Sequence, residues 1–258
     1  MSSTPHASRS SRVGASLALG FAALFSQADA TAQKVPAMTQ QHPSSKSLSV
    51  RQQAIVPIAA FGATGDMLRL HAALNQGLDA GLTVNDTKEI LVQLYAYAGF
   101  PRSLNALGEF MKVVEARKQR GLKDAQGQVP GRVIPRGDAL LAAGTTNQTQ
   151  LAGSPVKGAL FEFAPAIDEF LKTHLFGDIF ERDNLDWQSR ELATVAMLSS
   201  LQGADSQVQS HMGISMNVGL TASQLTQLAQ VLAERVDAEA AGRAREALAR
   251  QIAVRARQ

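Results

Sequence analysis

The chain has 258 residues, of which 45% are hydrophobic and only 5% aromatic, and its formal net charge is +3. Abundant helix formers and scarce aromatics favour packed helices over a β-sandwich, and the length allows one large domain or two small ones. The small charge excess, without a basic stripe interleaved with aromatics, argues against nucleic-acid binding. The sequence contains no cysteine, which excludes disulfide bonds and thiol chemistry.

The N-terminal stretch has the pattern of a secretory signal peptide. Arginines precede the apolar run VGASLALGFAALF (residues 13–25), and small residues that suit cleavage near Ala30 or Ala32 follow it. A membrane anchor is disfavoured because a run of about 13 residues is too short for a hydrocarbon core of ~30 Å. We therefore predict a signal peptide over residues 1–32 and a flexible segment over 33–47. The mature protein is expected to be bacterial, periplasmic or secreted, and free of the membrane after cleavage.

Two later parts of the chain follow the same plan, which predicts a diverged duplication. Each has an arginine near its start, an apolar helix, a glycine turn, a histidine-bearing helix, a Gly-Leu-Thr junction and another helix. The paired positions are Arg51 with Arg190, Gly65 with Gly203, and Gly81-Leu82-Thr83 with Gly219-Leu220-Thr221. In the junction the glycine can end one helix and the threonine can cap the next. We predict an all-α fold with helical repeats at 48–120 and 159–258, joined by an irregular linker at 121–158.

The two copies differ after their third helix. In the first copy Gly99 is predicted to break the helix, and Pro101 suits the first turn of a new helix that ends near Arg117. The second copy has a polar helix instead. We interpret its basic end, GRAREALARQIAVRARQ, as a solvated face rather than as a contact for an anionic surface.

The linker is rich in Gly, Pro, Gln and Thr, which favours extended chain with at most one short helix near residues 138–143. The stretch FEFAPAIDEFLKTHLFGDIFERDNL (residues 161–185) follows it. Its spacing of aromatic and aliphatic residues predicts an amphipathic helix.

The block FGDIFERDNLDWQSRELATVAMLSSLQGADSQVQSHMGISMNVGLT (residues 176–221) resembles the carboxymuconolactone decarboxylase family. The segment YAGFPRSLNA (residues 97–106) is similar to a Tyr-x-Gly-x-Pro-x-x-x-Asn stretch of the same family. The resemblance implies two tandem decarboxylase-like helical repeats and a homo-oligomer, either a trimer or a hexamer. It also implies a small acidic lactone or related carboxylate as substrate, with no metal or organic cofactor.

The same superfamily contains the alkylhydroperoxidase D proteins, which carry a Cys-x-x-Cys pair just before a histidine. Here the corresponding residues are Gly203-Ala204-Asp205-Ser206-Gln207. Because the sequence has no cysteine, peroxide reduction by that thiol mechanism is excluded. The decarboxylase branch does not need the pair, so the resemblance to that branch is unaffected.

Glu191 and His211 are the candidate catalytic residues. An antiparallel helical hairpin that turns at Gly203 places them about 6 Å apart along the axis, on helices about 8–10 Å apart. Their side chains can therefore meet if the two helix faces point towards each other. His211 would then act as a general acid or base oriented by Glu191; the structural alternative is a buried histidine that a carboxylate merely satisfies.

The first copy lacks this pair but contains residues that could bind substrate. Together with one arginine of the second copy, the candidate substrate-binding residues are Arg190, Tyr97, Arg102 and Asn105. We predict one composite pocket, with acid–base groups from the second copy and binding groups from the first. The alternatives are that Arg190 points outward and that Tyr97 serves helix packing.

These observations favour an enzyme that decarboxylates or isomerises a small carboxylated lactone or related acid. No histidine pair has metal-ligand spacing, so no metal site is predicted. The alternative, which the predicted export favours, is a non-catalytic binding or assembly protein that retains the fold. If Glu191 and His211 were buried without contacting each other, or if no cavity lay beside them, that alternative would be favoured.

Overall fold

The computed structural model describes residues 47–257 of the chain, so the predicted leader and residues 33–46 lie outside the described part. Residues 47–257 form eleven α-helices and one π-helical segment and contain no strand, which confirms the all-α prediction. The helices are α1 Val50–Thr64, α2 Met67–Asp79, α3 Val84–Gln93, α4 Tyr95–Gln119, α5 Asp138–Ala152, α6 Ala159–Phe163, α7 Pro165–Phe170, the π-helical segment Leu171–Ile179, α8 Trp187–Ser199, α9 Asp205–Asn217, α10 Ala222–Arg235 and α11 Ala238–Arg255.

The two Gly-Leu-Thr junctions have the geometry that their sequence predicts. Gly81 and Gly219 have φ values of 91° and 97°, which an L side chain rarely adopts. Thr83 and Thr221 each accept a hydrogen bond from the backbone three residues later and complete a capping box. Each junction therefore ends one helix and starts the next within three residues.

The core forms around the α1 and α8 pair, which pack against each other, while α2, α9, α10 and α11 cover their flanks. One hydrophobic cluster includes Leu74 and Leu91 from the first predicted repeat and Leu192 and Leu228 from the second. The described residues belong to one compact unit. Both predicted repeats thus contribute to a common core.

The order of helices is the same in the two predicted repeats. At their first helices, however, the positions that the sequence comparison treats as equivalent do not coincide. Ser49 caps α1 and Asp186 caps α8, so the caps do not bring Arg51 and Arg190 to equivalent positions. Arg51 is half exposed and pairs with Asp86, whereas Arg190 is completely buried. The duplication itself stays a hypothesis.

The predicted interruption after α3 is present in α4. Gly99 has φ 82° and ψ 160°, outside the helical region, and the helix resumes with Pro101 in its first turn. Continuing to Gln119, the helix ends close to the predicted Arg117. The interruption allows residues 95–98 to approach α9 while the rest of α4 packs on α2 and α3.

The segments around residue 160 differ from the single helices that the sequence predicts. The linker helix α5 runs over fifteen residues, well beyond the short helix expected near 138–143. The amphipathic stretch is divided into α6, α7 and the π-helical segment. Ala164 has φ −130° and ψ 72°, because the following Pro165 disfavours a helical conformation and donates no hydrogen bond. None of the described helices combines the length and the hydropathy needed to cross a membrane.

Candidate active site

The hairpin of α8 and α9 positions the two candidate catalytic residues. Asp186 caps α8 by accepting a hydrogen bond from the Ser189 backbone, and Gly203, with φ 78°, lies in the turn before α9. Glu191 lies in the first turns of α8, and His211 lies halfway along α9. Local capping and one left-handed glycine therefore fix the register between the two helices.

The two side chains meet. His211 Nδ1 lies 2.8 Å from Glu191 Oε2, within hydrogen-bond distance. Glu191 is completely buried and His211 is 8% exposed. The Glu191 carboxylate accepts the hydrogen bond from the Nδ1–H group of His211, and no described residue bonds Nε2. Glu191 therefore orients the ring and leaves Nε2 available to another molecule.

Glu191 is only partly satisfied by this contact. Its second oxygen, Oε1, is buried and has no hydrogen-bond partner among the described residues. A buried carboxylate with a free oxygen is unfavourable for stability unless another group offsets its desolvation. Such a group is easier to explain by a chemical role than by a contribution to folding.

Tyr97 completes the immediate surroundings of the histidine. Its ring lies edge-on to the His211 ring, with centroids 5.6 Å apart and an interplanar angle of 81°. Burial, followed by the negative charge of Glu191, raises the pKa of Tyr97 well above its ordinary value. Its hydroxyl therefore stays protonated across the physiological range, where it can donate a hydrogen bond. Tyr97 comes from the first predicted repeat and His211 from the second, as the composite-pocket hypothesis requires.

Tyr97 and His211 line a cavity of about 1340 Å³, large enough for a small organic molecule. Apolar side chains from α6, α7, the π-helical segment, α8 and α9 form much of its wall. They include Leu160, Phe161, Ile167, Leu171, Leu175, Phe176, Leu198 and Ile214. An apolar cavity with a few polar groups and a buried histidine–carboxylate pair has the general properties of an active site.

The other three predicted substrate-binding residues do not line this cavity. Arg190 is completely buried on the other side of α8, where it pairs with Glu89 at 2.9 Å and bonds Gln93 and the Arg182 carbonyl. Arg102 and Asn105 are exposed on α4. Arg190 thus holds α8 to α3, and its position offers no support for a role in binding a substrate carboxylate.

Two polar residues of the cavity wall come from regions for which the sequence predicts other roles, an irregular linker for Gln148 and a solvated basic face for Arg255. Gln148 belongs to α5, within the predicted linker, and Arg255 ends α11. Arg255 is itself exposed, but it lies two helical turns after the buried Leu248 and one turn after Gln251, so its spacing places it at the edge of the packed face of α11. Gln148 lies in a segment whose composition favours a loop, so no sequence signal pointed to it.

No group of three or more His, Cys, Asp or Glu residues in the described part of the chain is arranged to hold a metal ion. The polar residues around the cavity instead offer single donors and acceptors, and they include Gln148, His211, Asn217 and Arg255. They suit hydrogen bonding and proton transfer.

Comparison with known families agrees with the resemblance seen in the sequence. The model of the carboxymuconolactone decarboxylase family matches residues 165–250, a range that contains both Glu191 and His211. No curated protein matches the chain. Tyr97, Gln148 and Arg255 lie outside the matched range, so part of the cavity wall is built by segments that the family model does not cover. The matched residues 165–250 make up about a third of the chain, and this region is similar to the carboxymuconolactone decarboxylase family.

Proposed function

We propose that this protein is a carboxymuconolactone decarboxylase-like enzyme that acts on a small carboxylated lactone or related acid by thiol-free acid–base chemistry. The observation that supports the proposal best is the 2.8 Å contact between His211 and Glu191, beside a cavity that His211 lines. The family match over residues 165–250 agrees with this class of reaction.

In the proposed reaction the proton donor is a single atom, Nε2 of His211. In decarboxylation the carbon–carbon bond to the carboxylate breaks, CO₂ leaves, and the bonding electrons pass into the unsaturated lactone. The Nε2–H of a protonated His211 then gives its proton to carbon, and the ring regains a proton from water. Glu191 stabilises the positive charge of the ring while it carries this proton. One proton is consumed for each CO₂ released.

Lactone isomerisation is the second reaction that the same groups could perform. His211 would remove a proton from one carbon and return it to another, with Nε2 alternating between base and acid. This reaction releases no CO₂ and consumes no proton overall. Measuring CO₂ and proton uptake together therefore separates the two reactions.

The test is to incubate the protein with a panel of carboxylated lactones and to follow CO₂ release and ring isomerisation. Replacement of His211 by alanine should lower the rate by about 10²–10⁴-fold, the usual contribution of a general acid or base. His71→Ala is the matched control. His71 also contacts a carboxylate, that of Glu109 at 2.7 Å, but its side chain is 48% exposed and lies outside the cavity wall.

Turnover by the parent protein and by His71→Ala, but not by His211→Ala, would support the proposal. Equal turnover by all three proteins would remove His211 from the mechanism. If no lactone reacts with any of them, the alternative of an exported non-catalytic binding or assembly protein becomes the better explanation. Export after leader cleavage and assembly into a trimer or hexamer remain proposals that accompany either function.

A further inference from the structure

We infer that Arg255, together with Gln148, forms the anion-binding end of the cavity and determines that its ligand carries a carboxylate. This inference rests on the proposed function for the location of the reacting end at His211. It goes further by assigning substrate recognition to Gln148 of α5 and Arg255 of α11, two residues that lie outside the matched range 165–250.

Arg255 is the one permanently charged residue among the described residues that line the cavity. No carboxylate in the described part of the chain lies within ion-pair distance of its guanidinium. The cavity wall therefore presents a positive charge that no described side chain neutralises. A bound carboxylate would supply the missing negative charge.

The Arg255 guanidinium is held in place on one side and open on the other. Its Nη2 donates to the Gly213 carbonyl at 3.0 Å and also to the Asn217 side chain. Asn217 in turn donates to the Leu151 carbonyl of α5 at 2.8 Å. Nε and Nη1 have no described acceptor, so their N–H groups are available to a ligand.

The position of Gln148 gives independent support for an anion-binding end of the cavity. It is buried, with 4% of its surface exposed, and it lines the cavity. Its carboxamide makes no hydrogen bond to any described residue. Its amide atoms are not among the enclosed, unpartnered side-chain atoms of the described residues, so the carboxamide opens onto the cavity, where a ligand or solvent can bond it. Its N–H₂ can donate to a carboxylate oxygen.

The spacing between the two ends of the cavity limits the size of the ligand. His211, Ile214 and Asn217 follow one another on one face of α9, and Arg255 bonds α9 between Gly213 and Asn217. At 1.5 Å per residue, the guanidinium lies about 3–9 Å beyond His211 along this helix. One ring with a short carboxylate arm spans such a distance.

The apolar wall explains why the ligand should be more than a small polar acid. Leu175, Phe176 and Ile214 lie on the cavity wall with His211 and Arg255. A largely hydrophobic body would displace water from these side chains, while the carboxylate stays paired with Arg255. The ligand class is therefore an acid with a compact apolar or unsaturated ring.

Calorimetric titration with phenylacetate, 2-naphthylacetate and the two corresponding neutral amides tests this assignment without any turnover. The parent protein should bind each acid about 10–100-fold more tightly than its amide, as expected for a hydrogen-bonded charged group. Arg255→Gln should abolish this preference while leaving amide binding nearly unchanged, and Arg255→Lys should restore part of it. Gln148→Met should weaken binding of the acids by a smaller factor.

Arg250→Gln is the matched control, because Arg250 lies on the same helix, pairs with Glu246 and does not line the cavity. It should keep the full preference for acids. A loss of acid and amide binding to the same extent in Arg255→Gln would indicate a structural role and overturn the inference. Equal affinity of the parent protein for acids and amides, or no binding of either acid, would also overturn it.

The outcome is separable from that of the proposed function. An acid preference that depends on Arg255, without release of CO₂ or isomerisation of any lactone, would leave an acid-binding cavity in a non-catalytic protein. Lactone turnover by a protein with no acid preference would leave the acid–base chemistry in place and remove Arg255 from recognition.

Discussion

Glu191 combines complete burial with incomplete hydrogen bonding. One carboxylate oxygen contacts His211, and the other has no described partner. A residue placed there for stability alone would bring both oxygens to donors, because a desolvated carboxylate is unfavourable when only partly paired. Glu191 therefore lowers the stability of the fold while serving the reaction. A substitution that removes its charge is expected to lower the catalytic rate without lowering the free energy of unfolding.

Replacing Glu191 by glutamine tests whether this residue lowers stability and raises the reaction rate. The amide carbonyl can still accept from His211 Nδ1, so the ring orientation is kept, but the negative charge that stabilises a protonated ring is lost. We expect the rate with a reactive lactone to fall by about 100-fold. Thermal stability should stay the same or rise, because the buried charge has been removed.

His211→Ala is the informative comparison, since it leaves the Glu191 carboxylate buried without its donor. It should lose both activity and stability, the latter by about 1–3 kcal/mol, the usual penalty for an unsatisfied buried polar group. If Glu191→Gln instead lowers the melting temperature and leaves the rate unchanged, the contact between Glu191 and His211 has a structural role, in which each side chain satisfies the other's hydrogen-bonding group. The two measurements are a melting curve and a rate for each protein.

The Glu191–His211 contact could be predicted from sequence because the distance depends on local geometry. Two helix segments and one turn at Gly203 set the axial offset, and the remaining question was only which faces meet. The position of Arg190 could not be predicted in this way. Its partner Glu89 lies on α3, far along the chain, and only the packing of α8 against α3 brings them together.

At the scale of elements, α5 and the π-helical segment pack with their backbones close together. A β-carbon added to Gly144 would lie 1.6 Å from the backbone oxygen of Lys172. Gly177 on the other side is also crowded, with the Leu140 side chain 2.7 Å from where its β-carbon would lie. Two glycines that face each other's element allow the two backbones to approach closely.

Gly144→Ala should therefore destabilise the protein by about 1–3 kcal/mol, because a backbone oxygen cannot move aside as a flexible side chain can. Gly108→Ala is the matched control, since Gly108 lies inside α4 with no atom near the added β-carbon. That change should stabilise the protein by about 0.5–1 kcal/mol through helix propensity. Urea unfolding followed by circular dichroism measures both effects, and equal changes in the two variants would contradict this description of the packing.

The same packing explains which elements the sequence could and could not predict. The capped helices α1, α3 and α10 have strong local signals, with Ser or Thr three residues before a Gln or Asp. α5 has no side-chain cap, and Leu151 is the one hydrophobic side chain among its buried residues, so its packing against the π-helical segment leaves no clear apolar pattern in the sequence. Because α5 lacks such local signals, the contribution of Gln148 to the cavity wall could not be predicted from the sequence either.

At the scale of the whole molecule, a buried ionic network joins the two halves of the core. Glu89 on α3 bonds Arg182 at 2.7 Å and Arg190 at 2.9 Å, and Asn184 donates to its other oxygen. Glu89 and Arg190 are almost completely buried. Because the pair has little access to water, removing one partner leaves a charge that solvent cannot stabilise.

This network makes the fold sensitive to acid. Burial raises the pKa of Glu89, but the hydrogen bonds from Arg182 and the charge of Arg190 outweigh it, so its pKa lies below the ordinary value. The unfolded chain therefore takes up a proton at Glu89 before the folded protein does as pH falls. The stabilisation from Glu89 is complete above its unfolded pKa of about 4.3 and is lost as pH drops through the lower folded-state pKa.

Glu89→Gln should lower the free energy of unfolding at neutral pH by about 3–5 kcal/mol, because it leaves Arg190 buried with a neutral partner. Between about pH 5 and pH 3, however, its stability should fall less steeply than that of the parent protein, since one proton-binding site has gone. Glu162→Gln is the control, because Glu162 is exposed and has no ion-pair partner among the described residues. Urea unfolding at a series of pH values measures the free energy of unfolding of the parent protein and of both variants. Parallel pH profiles for the parent protein and Glu89→Gln would show that the acid sensitivity arises at other carboxylates, whereas a flatter profile confined to Glu89→Gln would locate it in the network that joins α3 to α8.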